Sequence, residues 1–184
     1  MTVATAGAAA PTRRDADSMR QKVDAINQNA LTPAAQVRRT TVTQNEVNGY
    51  LTYDAQPDLP PGLVEPSIAI LGTGRLSGRA VVDLDAVRAH NKPASAMDPM
   101  SYLTGRVPVT ATGTLTTSNG VGRFALESAS IAGVPLPKMF LQELLSYYSR
   151  SPSAPGGISL DSPFALPARI REIQVLEGQA VVVQ

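Results

Sequence analysis

Residues 131–149 read IAGVPLPKMFLQELLSYYS, and this stretch decides the fold. A strand ends in a corner stiffened by Pro135 and Pro137 and passes into an amphipathic helix. From Lys138 on, Phe140, Leu141, Leu144, Leu145 and Tyr148 fall on one side of a 3.6-residue wheel, with Gln142, Glu143, Ser146 and Ser149 on the other. Such a helix needs an apolar partner, and the rest of the chain must supply strands to wrap it.

Composition narrows the options. At 184 residues the chain can build one sizeable core, and a second independent domain would be a squeeze. Only 4% of residues are aromatic, so Val, Leu, Ile and Ala must do most of the packing. A net charge of +1 lacks the clustered basic excess that nucleic-acid phosphates demand. The absence of cysteine removes disulfides, thiolate metal sites and cysteine nucleophiles together. No apolar run reaches the roughly 20 residues of a membrane-spanning helix. The opening MTVATAGAAAP is too short for a signal h-region. Residues 1–14 are therefore expected to be a flexible segment, either the start left by a removed signal or anchor or a plain disordered tail, with 15–184 forming a single domain.

Asp15 to about Asn29 reads as an amphipathic helix through Met19, Val23 and Ile26, its interleaved Arg13, Arg14, Arg20, Lys22 and aspartates forming a solvated face. At Val42 to Leu51, Thr43 and Glu46 make a capping box while Val42 and Val47 form a hydrophobic staple. Gly49 within that helix marks a close approach to another backbone. Asp54 to Pro66, with four prolines, reads as a crossing loop.

Three hairpins follow, each tested by whether one register gathers the large apolar residues on one face. Asn119-Gly120 is a type I′ turn signal that sets Leu115 against Phe124 and Gly113 against Leu126, with Thr112, Thr114 and Thr116 facing Glu127, Ala125 and Arg123. Gly72-Thr73-Gly74 allows a three-residue loop with Ile70 against Leu76 and Ile68 against Gly78. Glu177-Gly178 sets Val175 against Ala180 and Ile173 against Val182. Glycines facing large residues permit coiling of the sheet or close approach of a helix. Between the hairpins lie a short helix capped by Asp85 and an irregular, proline-rich passage from Arg150 to Ala168.

No catalytic centre is legible. His90, the single histidine, has Asp83 and Asp85 upstream but neither a serine elbow nor a compact ligand set, so it reads as a structurally neutral residue. Gly72, Gly74 and Gly78 lack dinucleotide-fingerprint spacing and precede a strand, and no phosphate-loop lysine motif occurs. What remains is apolar surface. Phe124, Leu126, Phe140, Leu144, Tyr147 and Tyr148 could line a groove between sheet and helix suited to an acyl chain, or simply be core.

Three stretches also carry a resemblance: TVTQNEVNGYL, LPPGLVEPSIAILGTGRLSGRAVVDLDAVR, and GVPLPKMFLQELLSYY continuing through DSPFALPARIREIQVLEGQAVVV. Together they resemble a group of bacterial envelope proteins of unknown function that carry an N-terminal signal or anchor. The layout of strand, G-V-P-L-P, helix, L-P-x-x-I-x-x-I-x-V and closing hairpin is similar to extracytoplasmic families related to the tubular lipid-binding (TULIP-like) fold. That resemblance implies a periplasmic or otherwise extracytoplasmic location and no catalytic residue.

The expected fold is α+β: a strongly curved antiparallel sheet of about six strands wrapped around the central amphipathic helix, with two further helices. The expected function is non-enzymatic, an envelope protein binding or carrying a lipid or other elongated apolar ligand, with no cofactor, metal or nucleic acid and with peripheral or anchored membrane association. The alternative is a structural or adaptor domain with a closed core that binds an envelope protein partner through its loops or sheet edge.

Overall fold

The computed structural model describes residues 10–32, 36–90, 104–148 and 159–184; the side chains of Arg88, His90, Phe140, Leu144, Leu145, Tyr147 and Tyr148 lie outside that description. In chain order the elements are α1 (Arg13–Leu31), β1 (Arg39–Thr43), α2 (Gln44–Tyr53), a 3-10 turn (Gln56–Asp58), β2 (Leu63–Gly72), β3 (Arg75–Asp83), α3 (Leu84–His90), β4 (Arg106–Ser118), β5 (Val121–Ile131), β6 (Val134–Pro135), α4 (Lys138–Tyr148), β7 (Phe164–Ala165), β8 (Glu172–Leu176) and β9 (Gln179–Val183). They form a mixed fold with a six-stranded antiparallel sheet, β2-β3-β4-β5-β6 with β7 also on β5, and a three-stranded sheet, β1-β9-β8.

The anticipated sheet of about six strands is present, but its membership differs. The β8–β9 hairpin leaves it and pairs with β1, a strand that the capping-box reading of Val42 and Thr43 had hidden. β2 also begins within the expected proline loop. It is an edge strand, where the missing N–H of Pro66 breaks no ladder, and a register shift between Val64 and Ser67 absorbs Glu65 at positive φ.

The hairpin registers are otherwise as the turn chemistry dictates: Leu115 faces Phe124, Gly113 faces Leu126, Ile70 faces Leu76, Ile68 faces Gly78, Val175 faces Ala180 and Ile173 faces Val182. Two details change. Gly72 pairs with Arg75, so the turn has two residues, Thr73 and Gly74, both at positive φ, and Leu71 falls at a bulge. A second bulge after Thr112 pairs that residue with Ser128 instead of Glu127. The corner after β5 is itself a hairpin, with Ala132 and Gly133 at positive φ and Ile131 opposite Val134.

α1 starts at Arg13, two residues earlier than the aspartates suggested, because Thr12 is the cap and exchanges a reciprocal capping box with Asp15. α2 has the expected box: the Glu46 N–H donates to Thr43 Oγ1 at 3.3 Å and the Thr43 N–H to Glu46 Oε2 at 2.8 Å. The two helices cross at Gly49, where a Cβ would stand 2.7 Å from the Ala16 nitrogen. The basic residues of α1 are not simply a solvated face. Arg13 and Arg20 reach Asp54 at the end of α2, and Lys22 reaches Glu46. α1 also packs Ile26 onto the three-stranded sheet, in a buried cluster with Ile170 and Val182.

α2 protects the edge of β2. Gln44 and Asn48, one turn apart, accept the N–H groups of Ile70 and Ile68 at 2.8 and 2.7 Å, and Asn48 Nδ2 donates to the Ile68 carbonyl at 2.9 Å. Side-chain amides thereby take the place of a neighbouring strand. Beyond β3, Asp83 caps α3, its Oδ1 accepting the Ala86 N–H at 3.0 Å. The expected cap, Asp85, instead accepts the Gly105 N–H at 2.9 Å.

Glu46 is the buried ionised group of this assembly, 8% exposed. Burial pushes its carboxyl up, but donors from Lys22, Ser18 and Thr43 outweigh that and bring it to about 2 from 4.5. A carboxyl held low stabilises the fold above its unfolded value and loses that contribution as pH falls from about 4.5 towards 2. The linked stabilisation is about 3 kcal/mol. Glu46→Gln is therefore expected to lower unfolding free energy by about 2 to 3 kcal/mol at pH 7, with the gap to wild type closing near pH 2; equal urea midpoints at pH 7 would refute this role.

Candidate functional site

Alternation along four paired strands sorts the long sheet into two unlike faces. Ile68 and Ile70 on β2, Leu76, Ala80 and Val82 on β3, Val107, Val109 and Leu115 on β4, and Phe124, Leu126 and Ile131 on β5 are linked by register and so share one face. The opposite face is polar. There the Thr110 and Ser130 hydroxyls lie 2.6 Å apart, Thr112 Oγ1 donates to Ser77 Oγ at 3.0 Å, and Thr114 Oγ1 donates to Glu127 at 2.6 Å beside the Arg75–Glu127 ion pair.

The glycines of the apolar face admit rings. A Cβ on Gly113 would lie 2.5 Å from Phe124 Cζ, so this ring lies across the neighbouring strand. A Cβ on Gly122 would lie 2.6 Å from the ring of Phe164, which β7 delivers from the far side of β5. Aromatic rings thus cover both glycines. The space at Gly113 that could have received a helix is taken by Phe124.

Of the expected site residues, Phe124 and Leu126 lie together on this face and remain half-buried. Phe140, Leu144, Tyr147 and Tyr148 lie on α4, whose backbone packs against β5, but their side chains fall outside the described residues, as does that of His90. Phe164 was not among the expected residues. It sits in a two-residue strand inside a proline-rich passage, where neither periodicity nor turn chemistry marks it.

Most large residues of the apolar face are only partly covered. Ile70 is buried, whereas Ile68, Leu76, Leu115, Phe124 and Leu126 are half-buried. Among the described residues, no large side chain is fully buried anywhere. No cluster of three or more His, Asp or Glu suited to a metal occurs among them, and no described helix is long and apolar enough to cross a membrane.

No protein-family model matches the chain, and no curated protein matches it. Among solved structures, the chain is similar to a lipopolysaccharide binding protein, at 15% identity and a TM-score of 0.24. That likeness covers 79% of this chain and 40% of the other. A TM-score so low supports no inference from that protein to this one.

The ring over Gly122 gives a direct test of how the face is built. Gly122→Ala is expected to destabilise the protein by about 1 to 3 kcal/mol through the clash with Phe164. Phe164→Ala should remove most of that penalty, because the three atoms nearest a Cβ at Gly122 all belong to that ring. Additive effects of the two substitutions in a double-mutant cycle would show that the ring does not lie there.

Proposed function

We propose that this chain is a non-enzymatic, extracytoplasmic protein that binds a lipid or another elongated apolar ligand between the apolar face of the long sheet and α4. The observation that carries the reading is the half-buried face itself, shared by four strands and backed by a polar one. A sheet of this kind must cover its apolar side, and a water-exposed remainder contributes no stability. In this proposal the sheet curves around α4, and Phe124, Leu126, Phe140, Leu144, Tyr147 and Tyr148 contact the ligand. The resemblance to envelope proteins and to the TULIP-like fold is consistent with this reading and with peripheral or anchored membrane association.

One observation favours a second reading, an adaptor that contacts an envelope protein partner. Val134 and Met139, on either side of the corner between β6 and α4, are 63% and 75% exposed. An apolar corner of this kind suits a protein contact as well as a ligand entrance.

Native mass spectrometry of protein prepared without detergent is expected to show a bound amphiphile that organic extraction releases. Leu126→Asn should lower its occupancy several-fold while far-ultraviolet circular dichroism keeps its strand signature. Protein that is empty and takes up no fluorescent fatty-acid or phospholipid probe would overturn the ligand reading. Met139→Asp, by contrast, should break crosslinks to a host protein only if the adaptor reading holds.

A further inference from the structure

A cleft enclosing about 460 Å³ lies where the β4–β5 turn meets the C-terminal end of α1 and the chain just before β8. Its charged lining is Arg38, Arg169 and Arg171, with no carboxylate side chain among the lining residues. Elsewhere Arg13, Arg20, Lys22, Arg75, Arg106 and Lys138 each meet an Asp or Glu. Here the Arg38 side chain donates to the side-chain carbonyl of Asn29 and, among the described residues, meets no carboxylate, and no side-chain hydrogen bond or ion pair engages Arg169 or Arg171. Three like charges gathered in one concavity repel one another and raise its affinity for anions.

The backbone that presents them is held firmly and at a penalty. The Gly120 N–H donates to the Arg171 carbonyl at 2.9 Å, and the Gly120 carbonyl accepts from the Leu166 N–H at 2.7 Å. The Ile170 N–H closes a turn onto the Pro167 carbonyl at 3.0 Å, with Ala168 and Arg169 at φ 50° and 55°. Neither residue suits the left-handed region, where each costs roughly 1 to 2 kcal/mol and where Asn-Gly would sit without strain. Gln184 secures the turn, its Nε2 donating to the carbonyls of Ala168 at 2.6 Å and Ile26 at 2.9 Å. The fold thus tolerates an arginine where local chemistry favours glycine.

We propose that this cleft binds a phosphate-class oxyanion, with Arg169 and Arg171 as its principal charges, Arg38 as a third, and Asn119 as a neutral partner. The planar guanidinium fork matches such an oxyanion with paired hydrogen bonds. Against this stands the roughly half-unit negative charge at the C-terminal end of α1. Three full positive charges exceed it. The volume is larger than an inorganic phosphate needs, and Leu166 and Ile170 supply an apolar wall, so the anion is the phosphate group of an organic molecule, free or as a lipid headgroup.

Titration of the isotope-labelled full chain with inorganic phosphate, at constant ionic strength against chloride, should produce saturable amide shifts centred on Gly120, Ile170 and Arg171. Arg169→Gln with Arg171→Gln should weaken binding at least about tenfold, and Arg79→Gln on the polar sheet face should leave it unchanged. Ala168→Asn with Arg169→Gly should raise the melting temperature while weakening phosphate binding, a combination that a purely structural role for Arg169 would not produce. Non-saturating shifts, or shifts unaltered in the arginine variants, overturn the proposal, as does a glycine variant that binds as wild type. Co-sedimentation with phosphatidylcholine vesicles containing phosphatidic acid, competed by inorganic phosphate, identifies a headgroup as the ligand. Phosphate binding without such co-sedimentation identifies a free organic phosphate as the ligand.

Discussion

Positive φ at two successive residues, Thr73-Gly74, Asn119-Gly120 and Ala132-Gly133, constrains the long sheet more than any contact does. Turns of this hand match the twist of the strands they join, so each accepts a single pairing of its flanks. Because side chains alternate with a period of two, a slip by one residue at either long hairpin would send Leu76, Leu115, Phe124 and Leu126 to the polar side. Bulges at Leu71 and after Thr112 do not disturb this, since each adds a residue on one strand and leaves the apolar partners opposed.

The tips of those same hairpins fasten the long sheet to the three-stranded one. The Gly178 N–H donates to the Ile70 carbonyl and the Gly74 N–H to the Val175 carbonyl, while Thr117 Oγ1 accepts the Ile173 N–H at 2.7 Å and donates to its carbonyl at 3.1 Å. Main-chain groups that a turn would otherwise offer to water are paired across the junction. The smaller sheet is stiffened in turn by α1, which clasps α2 through Glu46 and Asp54 and buries Ile26 against Val182. The long sheet is thus joined to a base formed by the small sheet, α1 and α2, with the arginine cleft at the seam and α4 packed against β5.

This arrangement separates two kinds of surface. The sheet offers broad apolar area with no charge on that face, which suits flexible hydrocarbon and gives little directional specificity. At the seam, a few charged and amide groups stand on hydrogen-bonded backbone, which suits a compact anion and a defined orientation.

The sequence by itself determined the hairpin registers, the capping box of α2, the close approach at Gly49 and the one-sided character of the long sheet, because turn chemistry, capping and alternation act within a few residues. That Phe124 and Leu126 share the apolar face was legible for the same reason, through their register with Leu115 and Gly113. Only the tertiary structure decided that β8 and β9 leave the long sheet for β1, that Arg13, Arg20 and Lys22 clasp α2, that Phe164 covers Gly122, and that Arg38, Arg169 and Arg171 converge on one cleft. Those pairings join residues tens to more than a hundred positions apart, and such partners are chosen by packing and charge after the local elements have formed, not by any pattern along the chain.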